Sequence, residues 1–169
     1  GLFGLLGSKE AKVSLEVIPD PVDGAISFLR ELFDAMGLEV AIERTDGEEH
    51  VILNLTGREL GLLIGRRGQT LDALQYLTNI VANRHSDRYL RVILDAENFR
   101  ERRRQTLEKL SERLAERVVR TGKEIVLEPM TPQERRVIHF RLQNHPKVRT
   151  YSKGEEPNRR VVITLKNRE

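Results

Sequence analysis

The sequence predicts an α+β chain of two small modules, and three observations carry that reading. The apolar residues fall in periodic segments whose order from Pro21 to Leu94 is α-β-β-α-loop-α-β. A long helix, a strand, a capped helix and two closing strands follow. The charge also changes sign near residue 95: residues 1–95 hold 10 Lys and Arg against 15 Asp and Glu, a net of −5, and residues 96–169 hold 19 against 11, a net of +8. A length of 169 residues suffices for one ordinary domain or two small ones. The expected division is a short apolar tail and linker over 1–19, one module over 20–95 and another over 96–169.

Taken in order, Lys12 to Ile18 reads as a strand. Asp20-Pro21-Val22-Asp23 opens a helix, with Asp20 as N-cap, Pro21 at the first helical position and Asp23 in the first turn. Its stripe is Ile26, Leu29, Leu32, Phe33 and Met36, and Gly37 stands at the C-terminal cap. Val40 and Ile42, then Val51, Leu53 and Leu55, alternate as strands around the turn signal Asp46-Gly47. Thr56-Gly57-Arg58-Glu59 has the spacing of a capping box and predicts a short helix to Ile64. After the loop Gly65–Gly68, the next helix should turn Leu71, Leu74, Leu77, Ile80 and Val81 inward. Asn83 to Asp87 is a polar loop, and Leu90, Val92 and Leu94 form a strand.

The long helix is expected from about Glu97 to Arg120, with the stripe Leu107, Leu110, Leu114 and Val118. Glu124 to Leu127 reads as a strand. Thr131-Pro132-Gln133-Glu134 is a second capping box, and its helix should stop before His145-Pro146. Val148 to Ser152 and Arg160 to Leu165 are the closing strands.

Composition removes several classes of function. With no cysteine there are no disulfides and no thiolate metal sites, which fits a reducing, cytoplasmic compartment. No apolar run approaches the roughly 20 residues of a membrane helix. The apolar start Gly1 to Gly7 has no basic segment before it and does not read as a signal peptide, and the missing initiator Met fits a fragment of something longer. The basic half either attracts polyanions or is simply one of two solvated surfaces of opposite sign.

The loop Gly65-Arg66-Arg67-Gly68 is the first candidate site. Glycine lets a backbone approach a phosphate with no Cβ in the way, and the helix N-terminus after the loop can face an anion. Arg66 and Arg67 add charge there. Gly-Gln-Thr at its end departs from the Gly-Lys-Ser/Thr of a P-loop, and Gly61, Gly65 and Gly68 have the wrong spacing for a dinucleotide fingerprint. Leu62 and Leu71 read first as core, and Ile64 as a residue of an apolar groove beside the loop. No aromatic is near the loop in sequence, so base stacking there is expected to be poor.

The second candidate is Arg135 with His139, one turn apart in the capped helix. The guanidinium can take a phosphate bidentately and the imidazole can donate to it or stack on a base; the pair can equally be an ordinary surface or half-buried one. Arg149 and Lys153, with Arg159 and Arg160, are further candidates by charge and by nearness to the closing strands.

The run Leu62 to Leu71, set in α-β-β before and α-β after, resembles the I-G-x-x-G signature of a K-homology (KH) domain of type II, whose order is α-β-β-α-α-β. Thr131 to His139, with the long helix before and the strands after, resembles the R-three-H domain, in which helices cover a three-stranded sheet. The two in series are similar to the bacterial Jag (SpoIIIJ-associated, KhpB) family over roughly residues 21–166, and Gly1 to Lys9 resembles the tail of that family's N-terminal domain. The resemblance implies single-stranded RNA, or single-stranded DNA, as ligand. Its backbone would be clamped at Gly65, Arg66, Arg67, Gly68 and Gln69, with Ile64 in the apolar groove that takes the bases and a second contact at Arg135 and His139. It further implies a regulator of cell elongation and division, and pairing with a small KH protein or with a second copy. No cofactor, metal or catalysis is expected. His50, His85, His139 and His145 lack ligand spacing, and no acidic cluster stands beside either motif; Glu155 and Glu156 read as solvated. An adaptor that uses a KH-like surface for dimerisation is the alternative.

Overall fold

A computed structural model describes residues 20–166. The expected strand Lys12 to Ile18 and the apolar tail lie outside the described residues. Helix α1 (Pro21–Ala35) starts as its sequence dictates: Asp20 Oδ1 accepts from the Val22 amide at 2.8 Å, and Pro21 needs no partner in the first turn. Val22, Ala25, Ile26, Leu29 and Phe33 make its buried face, while Met36 stays 46% exposed. Strands β1 (Val40–Asp46) and β2 (His50–Gly57) pair antiparallel, with the Gly47 amide donating to the His50 carbonyl across the turn. Thr56 and Gly57 belong to β2, and helix α2 (Leu60–Ile64) begins without a side-chain cap. The capping box expected at Thr56 does not form, because ladder pairing with Ala41 and Val40 keeps those residues extended.

A single 3₁₀ turn (Arg66–Gly68) leads into α3 (Gln69–Asn83), and β3 (Arg91–Ala96) returns parallel to β2. The sheet order is β1-β2-β3. Val51, Leu53, Leu55, Val92, Leu94 and Ala96 point from it into one core with α1 and α3. This is the α-β-β-α-α-β order expected of the first module.

Helix α3 does not bury the stripe read from the sequence. Leu71, Leu74, Thr78 and Ala82 face the core; Leu77 and Ile80 are 43% and 48% exposed, and Val81 is half-buried. The reason lies on its flank. Gln75, Asn79 and Asn83, one turn apart, hydrogen-bond the outer edge of β3. Their carbonyl oxygens accept from the amides of Leu94, Val92 and Leu90 at 2.7, 2.9 and 2.7 Å, and their amide groups donate to the carbonyls of Val92 and Leu90. An edge strand otherwise presents unpaired polar groups, and these carboxamides satisfy them in place of another strand. That orientation turns Leu77 and Ile80 outward.

Helix α4 (Phe99–Thr121) joins the two cores. Phe99 packs against the first core, while Leu107, Ser111, Ala115 and Val118 are buried in the second; Leu110 and Leu114 flank the latter. Gly122 ends it in the left-handed conformation at φ 70°. Strand β4 (Ile125–Pro129), helix α5 (Pro132–Leu142) and strands β5 (Val148–Lys153) and β6 (Arg160–Leu165) complete the second module, with an antiparallel sheet in the order β4-β6-β5. The capping box at Thr131 is present in full: its hydroxyl accepts from the Glu134 amide at 3.3 Å, and its own amide donates to Glu134 Oε2 at 3.1 Å. Helices on one three-stranded sheet are the second module the sequence predicts.

Candidate nucleic-acid interface

The Gly65–Gly68 loop owes its shape to backbone that only glycine adopts cheaply. Gly65 sits at φ 68°, ψ −172°, and Gly68 at φ 84°, ψ 7°. A Cβ on Gly65 would overlap Thr70 Oγ1 and lie 3.0 Å from the Thr70 amide nitrogen. A Cβ on Gly68 would lie 2.6 Å from Phe99 Cε1. The chain therefore turns sharply and delivers α3 with no side-chain cap over its first amides. The Gln69 amide donates to the Arg66 carbonyl, and the amides after it stand at the positive end of a helix dipole with no side-chain cap. Arg67, itself at φ 59°, and exposed Arg66 stand at the same point.

Around the loop, Ile64 is half-buried and packs on the first core, and Gln69 is exposed. Leu71 is fully buried, as read; Leu62 is 60% exposed and not core. The loop does have an aromatic neighbour. Phe99 lies against Gly68 although 31 positions away in the chain, a juxtaposition that no local pattern reveals.

The loop also touches the second module. Arg67 Nη1 donates to the Pro129 carbonyl at 2.9 Å, and Arg67 Nη2 pairs with Glu128. Nearby, Arg100 bridges to Asp72 at 2.8 Å and Arg103 to Glu134 at 2.8 Å, so α4 ties the start of α3 to the start of α5. Arg66, Arg67 and Gln69 line a cleft of about 640 Å³ whose other wall is Glu128 to Pro132 with Glu156 to Asn158.

Arg135 and His139 do share one face of α5, but that face packs on β5. Arg135 is 8% exposed. Its Nε donates to the Met130 carbonyl at 3.3 Å, its Nη1 to Ser152 Oγ at 3.3 Å, and its Nη2 to Glu156. His139 Nδ1 is 2.7 Å from Thr150 Oγ1 and Nε2 is 2.9 Å from Ser152 Oγ. Ser152 thus joins both residues, and the pair fixes α5 on β5. The reading of Glu156 as solvated is corrected. Glu128 and Glu156 reach the two arginines singly, as guanidinium partners, and Glu156 is not merely solvated. Among the described residues no group of three His, Asp or Glu is placed to hold a metal.

Burial first, then the charges of Arg135 and Arg159, hold the His139 ring below its ordinary value and keep it neutral. The unfolded chain therefore binds a proton at higher pH than the folded one. The contribution of the ring to stability is full above about pH 6.5 and is lost as pH falls through that value toward the folded pKa. The parent chain should lose more urea stability between pH 7 and pH 5 than a His139→Asn variant does. Equal losses would remove His139 from the linkage.

Arg149 lines a second cleft with His139, Arg136, Phe140 and Lys166, and Phe140 is 71% exposed there. Lys153 stands apart, at the other end of β5, paired with Arg160 in the ladder. Sequence reasoning missed Phe140 and Arg136. The signal was available, since an aromatic beside His139 on a helix whose other apolar residues fill the core has to face outward.

Comparison with known proteins agrees with this architecture. The model of the KhpA/KhpB KH domain matches residues 23–94 and that of the R-three-H domain matches residues 105–165. The RNA-binding protein KhpB of Clostridium symbiosum is 48% identical over 168 residues, covering 98% of this chain and 75% of the relative. That of Bacillus subtilis is 40% identical over 169 residues, 98% of this chain and 81% of the relative. That of Lactiplantibacillus plantarum is 37% identical over 139 residues, 82% of this chain and 43% of the relative. With the glycine loop and the Arg-x-x-x-His pair each in the context their families require, this chain belongs to the KhpB (Jag) family.

Proposed function

We propose that the chain is a cytoplasmic, single-stranded RNA-binding regulator that holds a sugar-phosphate backbone at Gly65–Gly68. The observation that carries this reading is the loop itself: two glycines at positive φ, an exposed arginine between them and the uncapped amides of α3 behind them. The relatives named as RNA-binding proteins support it. A second contact belongs to the R-three-H module, where Phe140 offers a base a stacking face and Arg136, Arg149 and Lys166 offer charge. Arg135 and His139 serve that contact by fixing α5 against β5. The module binds and does not catalyse. A role in cell elongation and division rests on the family resemblance alone.

Binding should be electrostatic and of modest length. Neutralising three or four single-strand phosphates gives a slope of log K against log salt of roughly −2 to −3. A titration of a short oligouridylate from 50 to 300 mM salt measures it, and a flat line would sink the phosphate grip.

A second reading has its own observation. Tyr76, Leu77 and Ile80 are 68%, 43% and 48% exposed on the outer side of α3. Such a face suits a protein partner, either a small KH protein or a second copy. Sedimentation of the chain alone and with an added single-KH protein tests it, and a Leu77→Glu variant should abolish any association seen.

A further inference from the structure

One arginine of each motif is already engaged by a carboxylate, and both carboxylates line one cleft. Glu128 pairs with Arg67 of the glycine loop, and Glu156 pairs with Arg135 of the Arg-x-x-x-His motif. Glu128 and Glu156 lie on the cleft between the modules, together with Arg66 and Arg160. The two glutamate side chains are 72% and 50% exposed, so an incoming anion can reach both. The Arg67 pair, open to water on its glutamate side, contributes about 0–1 kcal/mol; Arg135 is only 9% exposed, so Glu156 leaves it only for an anion that takes its place. The arginines are less mobile, for Arg67 is also held by the Pro129 carbonyl, and Arg135 by Met130 and Ser152. The guanidinium groups are fixed and preorganised, and their present acceptors are replaceable.

We infer that the intermodule cleft is a composite strand path in which Glu128 and Glu156 stand in for two phosphates until a polyanionic strand displaces them. This rests on the RNA-binding reading and extends it from the loop to a site that neither module forms alone. A carboxylate and a phosphodiester each carry one negative charge and accept from a guanidinium in the same forked geometry. An isolated anion has to displace a glutamate and gains little. A strand that delivers several phosphates at once displaces both and also reaches Arg66 and Arg160. The cleft thereby favours a continuous strand over mononucleotides, and it ties the loop to the second module along one ligand.

The test measures affinity for oligouridylates of 4 and 12 nucleotides in the full chain, with Glu128→Gln, Glu156→Gln and the double variant. Glu116→Gln, an exposed α4 position that lines none of these clefts, controls for net charge. Removing a competing carboxylate should tighten the 12-mer about threefold per site and about tenfold together. Glu128→Gln should help both lengths and Glu156→Gln only the longer one. If the variants match Glu116→Gln while the parent chain binds RNA, the cleft is overturned and the loop reading stands. If the parent chain binds neither oligomer, both fall. A photoreactive 12-mer on the unaltered chain covers a variant that fails to fold. Crosslinks to Pro157 or Asn158 support the path, and crosslinks confined to the loop overturn it.

Discussion

A chain carrying Arg66→Asp with Arg67→Asp binds single-stranded RNA about a hundredfold more weakly than the parent and still melts cooperatively. Each charge-assisted hydrogen bond to a phosphate contributes about 1.5–3 kcal/mol, so losing two costs about 3 kcal/mol or more, a factor of about one hundred in Kd. The single variants divide the effect. Arg66 is exposed, so Arg66→Asp should lower affinity about tenfold with no change in melting temperature. Arg67 also holds Pro129 and Glu128, and Arg67→Asp places a carboxylate against Glu128. That variant should lose affinity and loosen the contact between modules as well. Fluorescence anisotropy with a 12-mer and circular dichroism melting read the two effects separately. A folded double variant with parent affinity would end the proposal that the loop is the grip.

The local signals were legible in the sequence to the degree that their causes are local. Asp20-Pro21 and the Thr131 capping box act within one turn, and both form as read. The same four-residue spacing at Thr56 fails because the strand partner of Thr56, Ala41, lies 15 positions away and sets its conformation. The inward face of α3 was misread for a related reason. Leu77 and Ile80 look like core by hydrophobicity, but the helix is turned by Gln75, Asn79 and Asn83 reaching the edge of β3. The core face is then completed by Thr78 and Ala82, and Thr78 turns its hydroxyl back to the Leu74 carbonyl at 2.7 Å. Hydrophobic periodicity gives polar residues no such directing role.

The candidate site divides in the same way. Gly65, Arg66, Arg67 and Gly68 are contiguous, and a tetrapeptide in its context was enough to find them. Phe99 against Gly68, Glu128 on Arg67 and Glu156 on Arg135 each join distant parts of the chain. The spacing of Arg135 and His139 correctly put them on one face of α5. Which way that face points is decided by Ser152 and Thr150, on a strand further along the chain.

Gly65→Ala should be the most damaging single-methyl change in the chain, with about 2–4 kcal/mol lost in stability and RNA binding lost with it. Two costs add. The backbone at φ 68°, ψ −172° belongs to a region essentially reserved for glycine, at about 1–3 kcal/mol for any other residue. The new methyl also meets Thr70 at the start of α3: the side chain can rotate away, but the amide nitrogen at 3.0 Å cannot without shifting the helix. Relief of either strain rotates the first turn of α3, and with it the amides proposed to face a phosphate. Binding therefore fails even in molecules that remain folded. Gly61→Ala is the matched comparison, since its Cβ meets nothing within 4 Å and it lies inside α2. There the methyl should stabilise the chain by about 0.5 kcal/mol by restricting the unfolded state and leave affinity unchanged. Urea unfolding and oligouridylate binding on the two variants distinguish a loop that requires glycine from one that merely contains it. Parent-like behaviour of Gly65→Ala would mean that the loop carries neither the strain nor the grip assigned to it.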